Sequence, residues 1–287
     1  MDSDTSIASA LDSATKALSA FDSPKLEAET LLSHSTGLTR TYFRTWPEKT
    51  LSTEQQQLFA ASLQRRLQNE PLAYITGEQD FWSLSLKVTP DTLIPRSDTE
   101  VLVEQALARI PAGSTWQVAD LGTGSGAIAL SIATERPNCQ IIATDISSKT
   151  LTVTEQNRAD HQLANVSLKQ GDWLSPLRAM QFELIASNPP YIDGDDVHLM
   201  QNGLPFEPQA ALTPGADGLA SLKTIIKMAH HYLCAPGWLL LEHGYNQAGE
   251  VQSLFRQYGY VDIQTYQDLG NNPRMTCGRY PLASSES

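Results

Sequence analysis

The sequence predicts an α/β fold for most of the chain, with a sheet of mainly parallel strands and helices between them. From about residue 91 onward, apolar segments of strand length alternate with segments of helical periodicity. The last two strands are joined only by residues 269–273, too few for a right-handed crossover, so they are predicted to form an antiparallel hairpin. Helical segments are expected between the first five strands. The predicted strands are 116–121, 140–145, 167–172, 182–187, 238–243, 261–267 and 274–280.

Residues 1–75 predict a separate small helical bundle. Ser23-Pro24 is typical of a helix start, with proline at the first helical position. Ser52 followed by Gln55 predicts a capping box at the start of a second helix, which is expected to end near Glu70-Pro71. Apolar residues in this helix recur at a spacing of four and predict a buried stripe made of Phe59, Leu63 and Leu67, with Leu58 beside them.

Residues 76–90 change to a period of two, which predicts a β-hairpin linking the two parts. Apolar and polar side chains alternate from Ser83 to Val88, and Gly77 and Pro90 bound the segment. The expected organisation is therefore a helical domain over 1–75, a hairpin linker over 76–90 and the α/β domain over 91–287. The tail Ala283-Ser284-Ser285-Glu286-Ser287 is expected to be frayed.

Composition places the chain among ordinary globular proteins of the cytoplasm. No run of about 18 apolar residues predicts a membrane span. The start Met1-Asp2-Ser3-Asp4 is acidic and lacks the apolar segment of a secretory signal. The three cysteines and four of the six histidines lack metal-ligand spacing, so no metal site is predicted; these residues are Cys139, Cys234, Cys277, His198, His230, His231 and His243.

The formal net charge of −12 bears on the partner of this chain. A protein that grips a nucleic-acid backbone needs a basic face, so this balance argues against direct nucleic-acid binding. It suits a basic protein partner instead. We expect a monomer.

A glycine-rich turn leaves the first predicted strand of the α/β part and opens a helix at Ala127. The segment is Asp120-Leu121-Gly122-Thr123-Gly124-Ser125-Gly126, and its glycines allow a tight turn and close approach to a ligand. Asp145 ends the next strand, 21 residues after Gly124, where an acid can bind both hydroxyls of a ribose. Because Gly122, Gly124 and Ala127 also satisfy the fingerprint G-x-G-x-x-A, this motif alone leaves NAD and S-adenosylmethionine both open.

Three features at strand ends favour S-adenosylmethionine, and two of them concern the cofactor itself. Asp120 precedes the glycines, where it would meet a cationic amino-acid group better than a pyrophosphate. Asp172-Trp173 is expected at the end of the third strand, offering an acceptor to the adenine amine and a ring edge to the base. The predicted sheet agrees with this choice, because five parallel strands closed by an antiparallel pair are typical of Rossmann-like methyltransferases.

The third feature is Asn188-Pro189-Pro190-Tyr191 at the end of the fourth strand. The two prolines fix φ and force Asn188 toward an extended conformation, which holds its carboxamide and the neighbouring carbonyls beyond the strand end. Proline carbonyls accept without a competing N–H, and Tyr191 adds a flat face. Such groups can accept both hydrogens of a planar NH2 group, so the motif suits methyl transfer onto an amide or an aromatic amine. It would lie at the sheet edge where ligands of open α/β sheets bind.

The order of these motifs resembles the release-factor glutamine methyltransferases, the PrmC/HemK family. The resemblance rests on Leu93-Ile94-Pro95-Arg96-Ser97-Asp98-Thr99-Glu100, on the glycine-rich turn and on Asn188-Pro189-Pro190-Tyr191-Ile192. Phe206-Glu207-Pro208 and Leu240-Leu241-Glu242-His243-Gly244 fit as well. The resemblance covers nearly the whole chain, including the helical N-terminal domain and the hairpin.

The resemblance implies N5-methylation of the glutamine in the Gly-Gly-Gln motif of peptide chain release factors. The N-terminal helices would supply part of the docking surface for the factor. Catalysis is assigned to Asn188, Pro189 and Tyr191, and Pro190 joins them in substrate binding. Residues implied to bind S-adenosylmethionine are Gly122, Thr123, Gly124, Ser125, Gly126, Asp145, Asp172, Trp173 and Asn188.

Three rival functions remain at this point. An adenine-N6 DNA methyltransferase could use the same acceptor geometry, although it must hold a DNA backbone and extract a base. If the chain were an NAD-dependent oxidoreductase, the segments at Asp172 and Asn188 would have no assigned function. A binding module for translation factors would need no chemistry. Arg96 has two open roles: it could pair with a carbonyl group of the cofactor or substrate, or anchor the hairpin to an acidic neighbour.

Overall fold

The computed structural model describes residues 5–200, 203–215 and 217–281. The chain divides into two compact units, Met1–Gly77 and Glu78–Ser287. Residues 1–4, where no secretory signal is predicted, and residues 283–287, which are predicted to be frayed, lie outside the described residues. The side chain of His198 lies outside them as well. Each unit is described by itself below.

The first unit is helical, as predicted. Its capping box is formed: the Ser52 hydroxyl accepts from the Gln55 N–H, and the Gln55 side chain accepts from the Ser52 N–H. Pro24 occupies the first position of its helix, which ends at Gly37 in the left-handed region. The helices are α1 (Ile7–Ala17), α2 (Pro24–Thr36), α3 (Arg40–Thr45), α4 (Thr53–Leu67) and α5 (Leu72–Thr76).

The predicted apolar stripe of α4 is only partly buried. Phe59 is 6% exposed and Leu63 packs against the core of this unit. Leu58 is 51% exposed, because it lies on the far side of the helix, and Leu67 is 36% exposed at the helix end. The core is completed by residues of α1 and α2, chiefly Ile7, Ala14, Leu18, Leu31 and Leu32.

The second unit begins with the predicted hairpin. Strands β1 (Glu78–Phe81) and β2 (Leu84–Lys87) pair antiparallel. The alternation of β2 is confirmed, since Leu84 and Leu86 are buried while Ser85 is exposed. Together with Phe81 they pack into the core of the second unit.

The main sheet confirms the predicted α/β fold with five parallel strands and an antiparallel closing pair. Its order is β5-β4-β3-β6-β7-β9-β8, with β9 antiparallel to both of its neighbours. The order reverses between β3 and β6, which is where open α/β sheets bind ligands. The strands are β3 (Gln117–Leu121), β4 (Gln140–Asp145), β5 (Val166–Gln170), β6 (Phe182–Ser187), β7 (Leu233–Glu242), β8 (Val261–Gln267) and β9 (Pro273–Tyr280).

Helices cover both faces of this sheet. Alternate residues of β3 separate the two cores: Val118 packs with α6 and α7, whereas Ala119 and Leu121 pack with α10 and α11. None of the helices in the described residues is long and apolar enough to cross a bilayer. The helices are α6 (Glu100–Arg109), α7 (Ala127–Glu135), α8 (Ser148–Asp160), α9 (Gln209–Leu212), α10 (Ala220–Ala229) and α11 (Ala248–Gln257).

Two predictions around β5 are wrong. The strand ends at Gln170 rather than at residue 172, because the chain turns there and the Gly171 N–H donates to the Asp145 carbonyl. Asp172 and Trp173 therefore lie in the turn beyond the strand. The connection from β5 to β6 has no α-helix among its residues, only a single 3₁₀ turn over Ser175–Leu177.

Strand β7 begins five residues earlier than predicted. Pro236-Gly237 is typical of a turn, but the structure accommodates this pair inside the strand at a bulge. Leu233 pairs with Phe182, and the next pair joins Trp238 to Leu184, so the β7 strand has extra residues between the two pairs. In the sequence, a Pro-Gly pair inside a bulged strand looks the same as a Pro-Gly pair in a turn.

Replacing Gly278 of β9 by alanine should destabilise the second unit. A Cβ at this position would lie 2.4 Å from Cδ1 of the buried Phe255 ring and 3.1 Å from Cβ of Tyr260. Overpacking of this kind costs about 1–3 kcal/mol. As a matched control, Gly249 in α11 has no atom within 4 Å of the place that a Cβ would take, and Gly249→Ala should be neutral or stabilising by up to about 1 kcal/mol. Urea unfolding followed by circular dichroism checks both, and equal midpoints would contradict the packing described.

Candidate active site

The candidate site is created by the register of four neighbouring strands. Leu121 of β3 pairs with Thr144 of β4 and with Ser187 of β6, and Ser187 pairs with Leu241 of β7. The next residue of each strand therefore falls in one row along the sheet edge, with neighbouring positions about 4.8 Å apart. In spatial order this row is Asp145, Gly122, Asn188 and Glu242.

A cavity of about 580 Å³ opens at this edge. That volume lies within the range of about 300–1,000 Å³ typical of small-molecule sites. Residues predicted to bind cofactor or substrate line it at nine positions: Gly122, Thr123, Gly124, Ser125, Asp145, Asp172, Trp173, Asn188 and Pro190. Gly126, Pro189 and Tyr191 lie outside the lining. The binding roles of all twelve residues stay predictions.

The glycine-rich turn requires glycine for two different reasons. Gly122, Gly124 and Gly126 all have positive φ, in the left-handed region. At Gly126 a Cβ would also lie 2.8 Å from Leu130 Cδ1, so this residue allows the turn to pack against α7. At Gly124 no atom lies within 4 Å of a Cβ position, so the turn there is open toward a ligand.

Asp145 faces this turn from the end of β4. Its Oδ2 accepts from the Gly124 N–H at 3.2 Å, and its Oδ1 accepts from the Ser147 N–H at 2.9 Å. Burial raises the pKa of Asp145 above its ordinary value, and the backbone N–H donors partly oppose that rise. The carboxylate is thus held by backbone on both sides while still lining the cavity.

Asp120 does not have the position expected of it. It is fully buried and lies outside the cavity lining, because its side chain points away from the sheet edge toward the start of α7. Oδ2 accepts from the Thr123 hydroxyl at 2.6 Å and from the Ala129 N–H at 3.2 Å. Burial raises the pKa of Asp120 to about 7. Asp120 therefore supports the glycine-rich turn from behind, and the expectation of direct contact with a cationic ligand is wrong.

Trp173 lies against the glycine-rich turn. A Cβ at Gly122 would be 3.1 Å from Cζ3 of the indole, so glycine allows the ring to approach. Trp173 has φ +46°, a strained conformation for a bulky residue, and its carbonyl accepts from the Thr144 hydroxyl at 3.1 Å. Asp172 beside it is exposed at the cavity wall. The indole is thus fixed in place as one side of the cavity.

The Asn188-Pro189-Pro190-Tyr191 motif is held by hydrogen bonds at both ends. Ser187, which precedes it, donates to the Leu121 carbonyl at 2.6 Å. Asn188 Nδ2 donates to the Thr99 hydroxyl at 3.1 Å, which leaves its carbonyl oxygen, Oδ1, for a ligand. The Tyr191 carbonyl accepts from Gln247 Nε2 at 3.0 Å.

Tyr191 itself is turned toward the protein. Its hydroxyl donates to Glu242 Oε1 at 3.1 Å, and its ring packs with the core shared by α10 and α11. Burial and the nearby Glu242 raise the pKa of Tyr191. Tyr191 therefore lies where it can support the motif from the protein side. This geometry does not support a stacking contact between its ring and the substrate. Burial raises the pKa of Glu242 to about 7.

Arg96 pairs with an acidic neighbour, which is one of its two predicted roles. Its guanidinium contacts Glu207 Oε1, and Glu207 Oε2 accepts from the Ile94 N–H at 3.1 Å. Glu207 lies in the segment after β6, so the pair ties residues 94–96 to that segment rather than to the hairpin. Arg96 also lines the cavity, and Glu207 does not.

Several lining residues had no signal in the sequence. Thr99 belongs to the segment that carries the resemblance, but no pattern in the sequence indicates that it lines the cavity and bonds Asn188. The wall formed by Pro208, Ala210, Ala211, Thr213 and Pro214 comes from a connection whose path no local pattern predicts. In the part of the chain that the structure describes, no group of three or more His, Cys, Asp or Glu side chains is placed to bind a metal ion.

The fold and this cavity define the class of protein, a seven-stranded α/β methyltransferase. A methyltransferase from Pyrococcus furiosus has the same fold, with a TM-score of 0.54 at 17% identity over 78% of this chain and 100% of that one. Family models described as "PrmC N-terminal domain" and "Methyltransferase small domain" match residues 9–77 and 97–215, and the latter implies a methyl donor of the S-adenosylmethionine type.

Two curated relatives match nearly end to end. The release factor glutamine methyltransferase of Salmonella typhimurium strain LT2 is 49% identical over 90% of this chain and 93% of its own length. The release factor glutamine methyltransferase of Escherichia coli strain K12 is 47% identical over 92% of this chain and 95% of its own length. The chain belongs to the release factor glutamine methyltransferase family, which confirms the resemblance predicted from the motifs.

The buried Asp120 should make stability depend on pH. Its folded pKa of about 7 exceeds the ordinary 3.8, so the stability it contributes is complete below about pH 4 and is lost as pH rises to about 7. The loss is roughly 1.4 kcal/mol for each unit of pKa difference. Asp120→Asn removes this titration while Glu242 titrates equally in both proteins. Urea unfolding at pH 5 and pH 8 should therefore show a smaller pH dependence in the variant, and equal dependence would contradict the buried, protonated carboxyl.

Proposed function

We propose that this chain transfers a methyl group from S-adenosylmethionine to the N5 amide nitrogen of the glutamine in the Gly-Gly-Gln motif of peptide chain release factors. The observation that carries the proposal is the Asn188-Pro189-Pro190-Tyr191 motif, fixed at the sheet edge with Asn188 lining the cavity and its Nδ2 already bonded to Thr99. Membership of the release factor glutamine methyltransferase family supports the choice of substrate.

The residues of the cavity fit S-adenosylmethionine. The open backbone at Gly124 admits the amino-acid part of the ligand close to the turn, and Asp145 offers carboxylate oxygens to a ribose. Asp172 and Trp173 offer an acceptor and a ring wall to the adenine. When bound, this cofactor would supply an electrophilic methyl group whose bond to the sulfonium sulfur breaks as the new bond forms, so that the sulfur leaves as a neutral thioether.

Asn188, which lines the cavity, is proposed as the first acceptor for the amide to be methylated, and the carbonyl of Pro189, the next residue of the motif, as the second. An amide nitrogen is a poor nucleophile, because its lone pair is conjugated with the carbonyl group. Oδ1 of Asn188 and the Pro189 carbonyl can accept its two hydrogens and fix its orientation. As the nitrogen forms its new bond and becomes positive, both oxygens are attracted to it more strongly, which stabilises the transition state relative to the ground state.

No strong base is needed before the transfer, because the nitrogen loses its proton only after it has become positive. Two buried acids, Glu242 beside the motif and Glu207 beside Arg96, lie outside the cavity lining. Their positions support structural roles. The methylated amide can release its proton to water.

We propose that the helices of the first unit supply part of the docking surface for the release factor. Large apolar side chains are exposed there, including Trp46 at 47% and Leu26 at 45%, with Arg40 and Arg44 nearby in sequence. An acidic net charge of −12 supports a protein substrate over a nucleic acid. We further propose that the enzyme acts as a monomer in the cytoplasm.

The first experiment is transfer of labelled methyl from S-adenosylmethionine to a purified release factor. We expect label on the factor and none on the same factor with the glutamine of its Gly-Gly-Gln motif replaced by alanine. Duplex DNA serves as a parallel acceptor, because an adenine amine is also a planar NH2 group. Label on DNA alone would support an adenine-N6 methyltransferase instead, and label on neither acceptor would contradict both.

Substitutions at Asn188 and Asp145 should separate catalysis from cofactor binding. Asn188→Ala removes an acceptor that matters most in the transition state, so kcat should fall about 100-fold with little change in cofactor Kd. Asp145→Ala removes a charged hydrogen-bond acceptor and should weaken cofactor binding about 10- to 100-fold. Calorimetry with the cofactor and single-turnover methylation measure the two effects. Each variant is the control for the other, and a shared loss of cofactor binding would contradict the division of roles.

A further inference from the structure

Asn188 can accept from a substrate amide only if its own carboxamide is held in one of two orientations. The two ends of a carboxamide are similar in size, but one is an acceptor and the other a donor. In the structure, Nδ2 donates to the Thr99 hydroxyl at 3.1 Å. A hydroxyl can also donate, and then the carboxamide would turn its oxygen to Thr99 and its NH2 to the cavity. The orientation therefore depends on where the Thr99 proton goes.

Glu242 is placed to accept that proton. It follows Leu241, which pairs with Ser187, so Glu242 and Asn188 are neighbours in the row at the sheet edge. Glu242 is 1% exposed, and the Thr99 hydroxyl is among the groups that lower the pKa of its carboxyl group and so favour its ionised form. Oε1 accepts from the Tyr191 hydroxyl, whereas among the described residues the buried Oε2 accepts no hydrogen bond of good geometry and so remains available to the Thr99 proton.

We propose that Glu242 is a positioning residue whose carboxylate fixes the direction of the Thr99 hydroxyl, which in turn holds Asn188 with its carbonyl oxygen toward the substrate amide. Glu242 lies outside the cavity lining, so it acts through Thr99 and not on the substrate. The inference rests on the proposed methylation of glutamine. It adds two residues, Thr99 and Glu242, to those that the acceptor geometry needs.

Thr99 is only 4% exposed, so bulk water competes little for its hydroxyl group. The direction of the hydroxyl proton is therefore set by the protein groups around it. With an ionised Glu242, donation to the carboxylate is strongly favoured, because hydrogen bonds to charged groups are the stronger ones. With a protonated Glu242, the carboxyl can itself donate to Thr99, which frees the Thr99 proton for the oxygen of Asn188.

The protonation of Glu242 is set by groups from several elements. Burial raises its pKa to about 7, and the charge of Asp98, in the 3₁₀ turn before α6, adds to the rise. Thr99, Tyr191 and Arg274 of β9 lower it. His243, the next residue, has its pKa lowered by burial. The orientation of Asn188 should consequently change near neutral pH, with the active orientation above it.

The test uses Glu242→Gln in the full-length enzyme, with a purified release factor as acceptor. A neutral amide can donate to Thr99 at every pH, so kcat at pH 8 should fall about ten- to a hundredfold, the effect of losing a hydrogen bond to a charged group. KM for the factor and Kd for the cofactor should stay within about twofold, since the contacts that set them are intact. The native kcat should rise with pH through about 7, and that of the variant should stay flat between pH 6 and 8.

The matched control is Glu183→Gln in β6. Glu183 also lies in the main sheet, but its Oε2 accepts from the Gln117 N–H at the opposite end of the strands. This variant should keep the native kcat and the native pH profile. Thermal melting of both variants shows whether a loss of activity reflects a loss of folded enzyme.

A second pair of variants tests Thr99 without altering the buried acid. Thr99→Val keeps the shape but removes the hydroxyl, and kcat should fall as in Glu242→Gln. Thr99→Ser restores the hydroxyl and should recover most of the activity, which a purely steric role would not predict. This pair also decides the matter if Glu242→Gln fails to fold.

Two results would overturn the inference while leaving the proposed function intact. One is a Glu242→Gln enzyme with native kcat and an unchanged pH profile. The other is full activity in Thr99→Val. A native enzyme that methylates no release factor would instead overturn the proposed function, and the inference with it.

Discussion

The site depends on one constraint, the shared register of four neighbouring strands. Leu121, Thr144, Ser187 and Leu241 are paired across the sheet, so the residue after each falls in a single row. Parallel strands end at the same edge and their spacing is fixed by the hydrogen-bonded ladder. A shift of one residue in any strand would turn its functional side chain to the other face. The pairing of the strands therefore sets the base of the cavity, and the loops form its walls.

Two buried acids support the polar groups at this edge from behind. Asp120 bonds the Thr123 hydroxyl and the Ala129 N–H, and so holds the glycine-rich turn against α7. Glu242 bonds Tyr191 and faces Thr99, next to Asn188. In both cases burial raises the pKa to about 7. The edge thus combines residues that face the ligand with buried acids behind them, and the acids fix the hydrogen-bond directions of those residues.

The sequence predicted the parts of the site that local chemistry dictates. The glycine-rich turn and the acid at the end of β4 follow from strand ends and residue types, and the structure places both at one cavity. The predictions that were wrong concern features set by long-range packing and strand pairing. The side chain of Asp120 could point either way from a strand end, and only packing against α7 decides its direction. Likewise, Pro236-Gly237 is typical of a turn, and only the pairing of Leu233 with Phe182 shows a bulged strand. Thr99 is separated from Asn188 by 89 residues, a contact that no local pattern encodes.

The acceptor geometry alone does not choose between an amide and an aromatic amine, since both present a planar NH2 group. The carbonyl groups of Asn188 and Pro189 can accept from either. The choice of substrate must therefore come from the surface that brings the acceptor to the cavity. A chain with net charge −12 repels a nucleic-acid backbone at long range, and a target base would in addition have to leave its stack. A glutamine side chain presented by a protein carries neither cost, so the same acceptors that permit both reactions act, in this protein, on the amide.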